Sequence, residues 1–261
     1  MRTTLSIPVI LVLAVMLAGQ AAHAQPARGQ GAAPAGPPPG WERTKAQMRE
    51  LQFAGEDAKV VVIAEQVVAA HPRFAEGHAR LGGAHESVAR AVAQKDRALA
   101  GRHFEMAATH LRHAFELGGG EYPDTTIRGL VDLYEYALPN PDRWKATVLD
   151  ALKRYPAEPV AHWYGVQLVL RDGGIPELDA ALRKARAALP ATAEPRLEYA
   201  SLLTGLAKKQ VPPEARAALV RDALALVDEV VKKNPADRSV RRKADAIRQN
   251  LAALGPSGAP L

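Results

Sequence analysis

The chain of 261 residues contains no cysteine, and that single absence removes several classes of function. Without thiols there is no disulfide framework, no thiolate metal site, no cysteine nucleophile, no c-type haem attachment and no bacterial lipid anchor. Aromatic residues are scarce at 5%. Strands are built largely from aromatic and β-branched residues, so a chain poor in both and rich in alanine points to helices. No serine stands in a G-x-S-x-G elbow, no glycine-rich loop forms a phosphate cradle, and no glycine fingerprint follows a strand. His85-Glu86 fails as a zinc-protease helix because Ala89 occupies the place of the second histidine.

What the chain does have begins with an address-like N-terminus. Arg2 precedes an apolar run from Ile7 to Gly19, and Ala22-His23-Ala24 supplies small residues before Gln25. A charged start, a short apolar stretch and an A-x-A site make a secretory signal peptide, and the run is well short of the roughly 20 residues of a spanning helix. Residues 1–24 are therefore expected to be removed near Ala24, leaving a periplasmic or secreted protein. Residues 25–40, dense in Pro and Gly, are expected to be a disordered tether, and residues 255–261 a disordered tail.

From Trp41 onward the pattern is helical, with breakers at intervals. Amphipathic stretches end at His71-Pro72, Gly118-Gly119-Gly120, Tyr155-Pro156, Pro190 and Asn234-Pro235, each a credible helix terminus. Successive anchors at Pro72, Gly119, Pro156, Pro190 and Pro235 are spaced by 47, 37, 34 and 45 residues. Upstream of each sits one small-to-medium apolar triplet at spacings of four and three: Val60/Ala64/Val67, Ala107/Leu111/Ala114, Trp144/Val148/Ala151, Leu178/Leu182/Ala185 and Ala223/Val227/Val230. A repeated stripe on every second helix predicts an array of helix pairs. The expected pairs are 41–54 with 57–71, 75–99 with 102–117, 124–138 with 142–154, 159–172 with 176–189, and 193–208 with 213–233. The stripe Val240, Ala244, Ile247, Leu251 and Leu254 predicts a closing helix within 237–254.

Residues 75–85, with Leu81-Gly82 at its centre, resemble the first helix of a tetratricopeptide repeat, with His78 and His85 where that family usually has aromatics. Ile127, Leu130, Val131 and Tyr134 fit the same spacing, as do Tyr199-Ala200 with Leu203. The resemblance covers roughly residues 41–254. It implies an all-α, right-handed superhelical solenoid of about five antiparallel helix hairpins plus a C-terminal capping helix. Against that pattern the second hairpin carries extra residues, around 90–101. The family binds peptides or protein segments in a concave groove lined by first helices. By that resemblance the partner-binding positions are Glu76, Glu86, Arg128, Asp132 and Glu135.

Five of the eight histidines fall in the second pair: His78 and His85 on one helix, His103, His110 and His113 on the other. Imidazoles facing across a hairpin could hold a metal or haem, which makes such a protein the alternative reading. The simpler reading fills core positions with His78 and His85 and leaves His103 and His110 on the surface. Charge is uneven along the chain: residues 25–204 hold 22 basic and 22 acidic groups, whereas residues 205–261 hold 11 and 6. The basic end could meet an anionic surface. Nucleic acid is not expected, because no aromatic platform accompanies the basic run. The sequence thus predicts a non-catalytic interaction scaffold that binds an unidentified protein or peptide, with no catalytic residue, no assigned metal ligand and no cofactor.

Overall fold

The structure, a computed structural model, describes residues 35–254; the expected signal peptide, most of the tether and the tail lie outside the described residues. Eleven α-helices occupy this region, and among the described residues there is no strand. In chain order they are α1 (Trp41–Phe53), α2 (Asp57–Ala70), α3 (Ala75–Val92), α4 (Arg97–Glu116), α5 (Pro123–Asp132), α6 (Pro141–Arg154), α7 (Pro159–Asp172), α8 (Ile175–Ala188), α9 (Ala193–Ala207), α10 (Pro213–Lys233) and α11 (Arg238–Ala252). The fold is all-α. No described helix is long and apolar enough to cross a membrane.

Several of these helix starts have a local cause. Pro123, Pro141, Pro159 and Pro213 occupy first-turn positions, where the missing N–H costs nothing. Asp96, Asn140 and Asp237 are N-caps whose side chains accept backbone N–H groups of the turn that follows. Asp237 accepts two, from Ser239 and Val240 at 2.8 and 3.1 Å. Asp237→Ala should cost about 1 kcal/mol, read as a melting temperature lower by about 2–4 °C.

Helices adjacent in sequence pack against each other, α8 and α9 excepted, and the most extensive contact is between α3 and α4. The helices α5, α7, α9 and α11 also touch in series, α5 on α7, α7 on α9 and α9 on α11. The apolar interior follows the chain in segments. One cluster joins Trp41, Met48, Val60, Phe74 and Leu81. A second centres on Leu111, Phe115, Ile127, Trp144 and Tyr164. The third runs from Val166 to Leu254, and partly buried Trp163 packs against both the second and the third. The triplets predicted from sequence lie in these interiors: Ala107, Val148, Ala151, Leu178, Ala185, Ala223 and Val227 are wholly buried.

Three carbonyls at the turns between pairs are held by one recurring device. His78 Nε2 lies 3.0 Å from Pro72 O, His162 Nε2 lies 2.9 Å from Pro156 O, and Arg196 Nε donates to Pro190 O at 3.0 Å. In each case a buried side chain six residues beyond the proline satisfies a carbonyl that the helix preceding the turn cannot.

Two boundaries differ from the sequence expectation. The second pair turns at residues 93–96 rather than near 100, because the Asp96 side chain accepts Leu99 N–H at 2.8 Å and starts α4 early. Its additional length is carried by both helices, of 18 and 20 residues. The predicted single helix 124–138 ends instead in a π-helical turn, Leu133–Ala137. There Leu138 N–H reaches back to Leu133 O at 2.7 Å. The wider turn keeps both Leu133 and Tyr134 buried while Glu135 reaches Arg171 of α7.

Candidate binding face and histidine layer

The five residues predicted to bind a partner all lie on α3 or on α5 and its π-turn, and the structure gives each an internal partner. Glu76 is 95% buried; its carboxylate pairs with Arg80 at 2.9 Å and accepts Glu121 N–H at 3.0 Å. That second bond ties α3 to the turn after α4, where Gly118, Gly119 and Gly120 all adopt left-handed angles. A Cβ at Gly120 would meet the Glu76 backbone at 3.1 Å, so this turn needs glycine for both angle and space. Glu86 pairs with Arg90 on its own helix. Arg128 sits 5.5 Å from the Trp163 ring of α7 and 4.0 Å from Glu198 of α9. Asp132 accepts the Tyr164 hydroxyl at 2.7 Å, and Glu135 pairs with Arg171, which itself lies 4.0 Å over the Trp144 ring. Arg128, Asp132 and Glu135 therefore join α5 to α7, a structural task that spacing alone did not reveal.

Beside them lies an open groove of about 440 Å³ between α3 and α5. Gln52, Arg80, Glu86, Tyr122, Thr125 and Gly129 contribute to its walls, with Tyr122 and Thr125 exposed. Sequence reasoning missed Tyr122 and Thr125, which sit at the start of α5, ahead of the apolar spacing that carried the repeat pattern. Outside the groove wall the carboxyls of Asp124, Glu158 and Glu198, at α5, α7 and α9, lie close enough to interact. Burial pushes Glu158 and Glu198 above the usual carboxylate range, and the neighbouring Asp124 charge pushes both further. Among the described residues no ion pair neutralises Asp124 or Glu158, whereas Glu198 has Arg128.

No family model matches the sequence, and no curated protein matches it significantly.

At the basic end the charges divide into two sets. Lys233, Lys243 and Arg248 pair with Glu229, Glu194 and Asp228. Arg238, Arg241 and Arg242 line an exposed face of α11, and among the described residues no carboxylate lies within ion-pair distance of them.

The histidines of the second pair form a continuous layer between α3 and α4. His85 Nδ1 lies 3.0 Å from His103 Nδ1, His85 stacks on His110 at 5.9 Å, and His78 Nδ1 lies 3.2 Å from His110 Nδ1. His113 closes the row edge-on to His78 at 5.1 Å. His78 and His85 are buried, His103 and His110 half-buried, and His113 exposed. The layer stands where apolar packing is interrupted: Leu81 and Ala84 of α3 belong to the first core cluster, Ala107 and Leu111 of α4 to the second. Burial lowers His85 to about 4, helped by the facing His103, and lowers His110 to about 4, helped by His78, His85 and His113. His78 moves the same way by burial, opposed by its bond to the Pro72 carbonyl.

Unfolding returns His85 to the ordinary histidine range near 6.5. Between that value and about 4 the unfolded chain binds more protons than the folded one. The stability that neutral His85 contributes is thus complete above about 6.5, falls as pH drops through that window, and levels off near 4. Urea unfolding in EDTA at pH 7.5 and at pH 5 should show a lower midpoint at pH 5.

Proposed function

We propose that this protein is a non-catalytic scaffold that acts outside the cytoplasm and holds a polypeptide segment along the face formed by α3, α5, α7 and α9. In this reading the helix pairs form a tetratricopeptide-like solenoid, and the N-terminal address accounts for the compartment. The partner is a segment carrying lysine or arginine. The observation that carries the reading is the collection of Asp124, Glu158 and Glu198 on α5, α7 and α9, which pack in series, with α5 also walling the open groove against α3. Glu158 and Glu198, whose proton affinity burial and the Asp124 charge raise, gain most from an arriving cation. A peptide chain supplies such a cation together with backbone groups for Thr125 and Tyr122.

Because Arg128 and Asp132 are engaged within the fold, reversing their charges would perturb packing as well as binding. Peptide display against the full chain is the cleaner test. Selected sequences should be enriched in lysine and arginine and should compete with one another for one site. Selection of acidic or purely apolar sequences would reject the assignment of this face.

A further inference from the structure

We propose that His78, His110 and His113 bind one divalent transition-metal ion, with Zn²⁺ the natural occupant and hard cations such as Ca²⁺ excluded. One ligand atom from each of these three side chains can be chosen so that all lie within 4.8 Å of one another. The sequence alone left these residues as core and surface histidines, with metal binding as an alternative carried by all five.

His78 Nε2 faces the Pro72 carbonyl at 3.0 Å, and a carbonyl can only accept, so Nε2 carries the proton and Nδ1 presents a lone pair. A metal-ligating histidine characteristically gives its other N–H to a backbone carbonyl, which fixes both tautomer and ring. Two nitrogens at about 2.0–2.1 Å from a tetrahedral zinc stand roughly 3.3 Å apart. His78 Nδ1 and His110 Nδ1 stand 3.2 Å apart. Without metal, His110 donates its Nδ1 proton to His78 across that gap. With metal, that proton moves to His110 Nε2, so both rings stay neutral and both Nδ1 atoms coordinate.

Among the described residues, a second buried histidine in the same setting has no such neighbours on the facing helix. His162 makes the same bond to Pro156 O, and its ring meets the Tyr199 edge at 6.2 Å. Holding the turn carbonyl thus accounts for one buried histidine per turn. It does not account for His110 and His113, which approach His78 from α4 at positions three apart. Exposed His113 leaves the remaining coordination positions on the solvent side, open to water or to a ligand from another molecule. An all-imidazole set suits zinc, copper or nickel and offers no oxygen to calcium or magnesium.

The test uses the untagged full chain, stripped with EDTA and titrated with ZnCl₂ and with CaCl₂ by calorimetry. One zinc per chain and no calcium binding are expected. His110→Ala and His113→Ala should each weaken zinc binding at least tenfold, and His71→Ala, outside the cluster, should not. His113 is exposed, so its variant remains informative if His110→Ala fails to fold. Absence of zinc binding at micromolar concentrations, or full affinity retained by His113→Ala, would overturn the assignment. The outcome is independent of peptide capture by the α3–α5 face.

Discussion

Gly82→Val should destabilise the protein by about 3 kcal/mol, although neighbouring Gly83→Ala should stabilise it by about 0.5–1 kcal/mol. The opposite signs follow from what each new side chain would meet. A Cβ at Gly82 would stand 2.7 Å from Leu111 Cγ and 3.1 Å from the Leu111 backbone nitrogen, where α3 packs on α4. The Leu111 nitrogen belongs to the α4 backbone and cannot give way, and its side chain is buried in the second core cluster. A branched residue there forces the two longest-contacting helices apart, and the loss exceeds the gain in helix propensity. Gly83 faces open space, so alanine there gains only by restricting the unfolded chain. Chemical denaturation of both variants checks the pair; equal effects would mean that α3 and α4 are not packed at this distance.

Ile247→Asp should cost about 3–5 kcal/mol and act mainly at the C-terminal end. Ile247 is buried with Val240, Ala244, Leu251 and Leu254 against the third core cluster, while Arg238, Arg241 and Arg242 project outward. The substitution removes a buried branched side chain and introduces a carboxylate that must be neutralised or drawn out to water. The apolar clusters follow the chain segment by segment, so the damage should stay close to α9, α10 and α11. Hydrogen exchange should show protection lost there first and largely kept in α1–α4. Uniform loss along the chain would show instead that the helices unfold as one undivided unit.

Much of this fold was legible in the sequence because two strong signals agreed. Prolines and glycines fixed the ends, and the apolar triplets fixed the buried faces of α4, α6, α8 and α10, so predicted and observed helices mostly differ by one or two residues. The exceptions needed three-dimensional information. The early start of α4 coincides with Asp96 turning its carboxylate onto Leu99, and the π-turn carries Glu135 to Arg171, 36 residues away in sequence. The candidate face was legible only in part. Spacing placed Glu76, Glu86, Arg128, Asp132 and Glu135 on first helices, but it could not show that each already had an internal partner. The gathering of Asp124, Glu158 and Glu198 arises from helices that meet only after folding. The histidines were visible as a cluster in the sequence; the Pro72 carbonyl that orients His78, and the 3.2 Å gap to His110, were not.

The account turns on whether the α3–α5 face is where a polypeptide binds. Calorimetric titration of a lysine- or arginine-bearing peptide, obtained by display, into the wild-type chain and two variants tests this most directly. Thr125→Arg places bulk and positive charge in the groove and should weaken binding at least tenfold. Leu149→Arg, at an exposed site on α6 outside the groove wall, should leave the affinity unchanged. Equal affinity for wild type and Thr125→Arg, or a loss confined to Leu149→Arg, would contradict it.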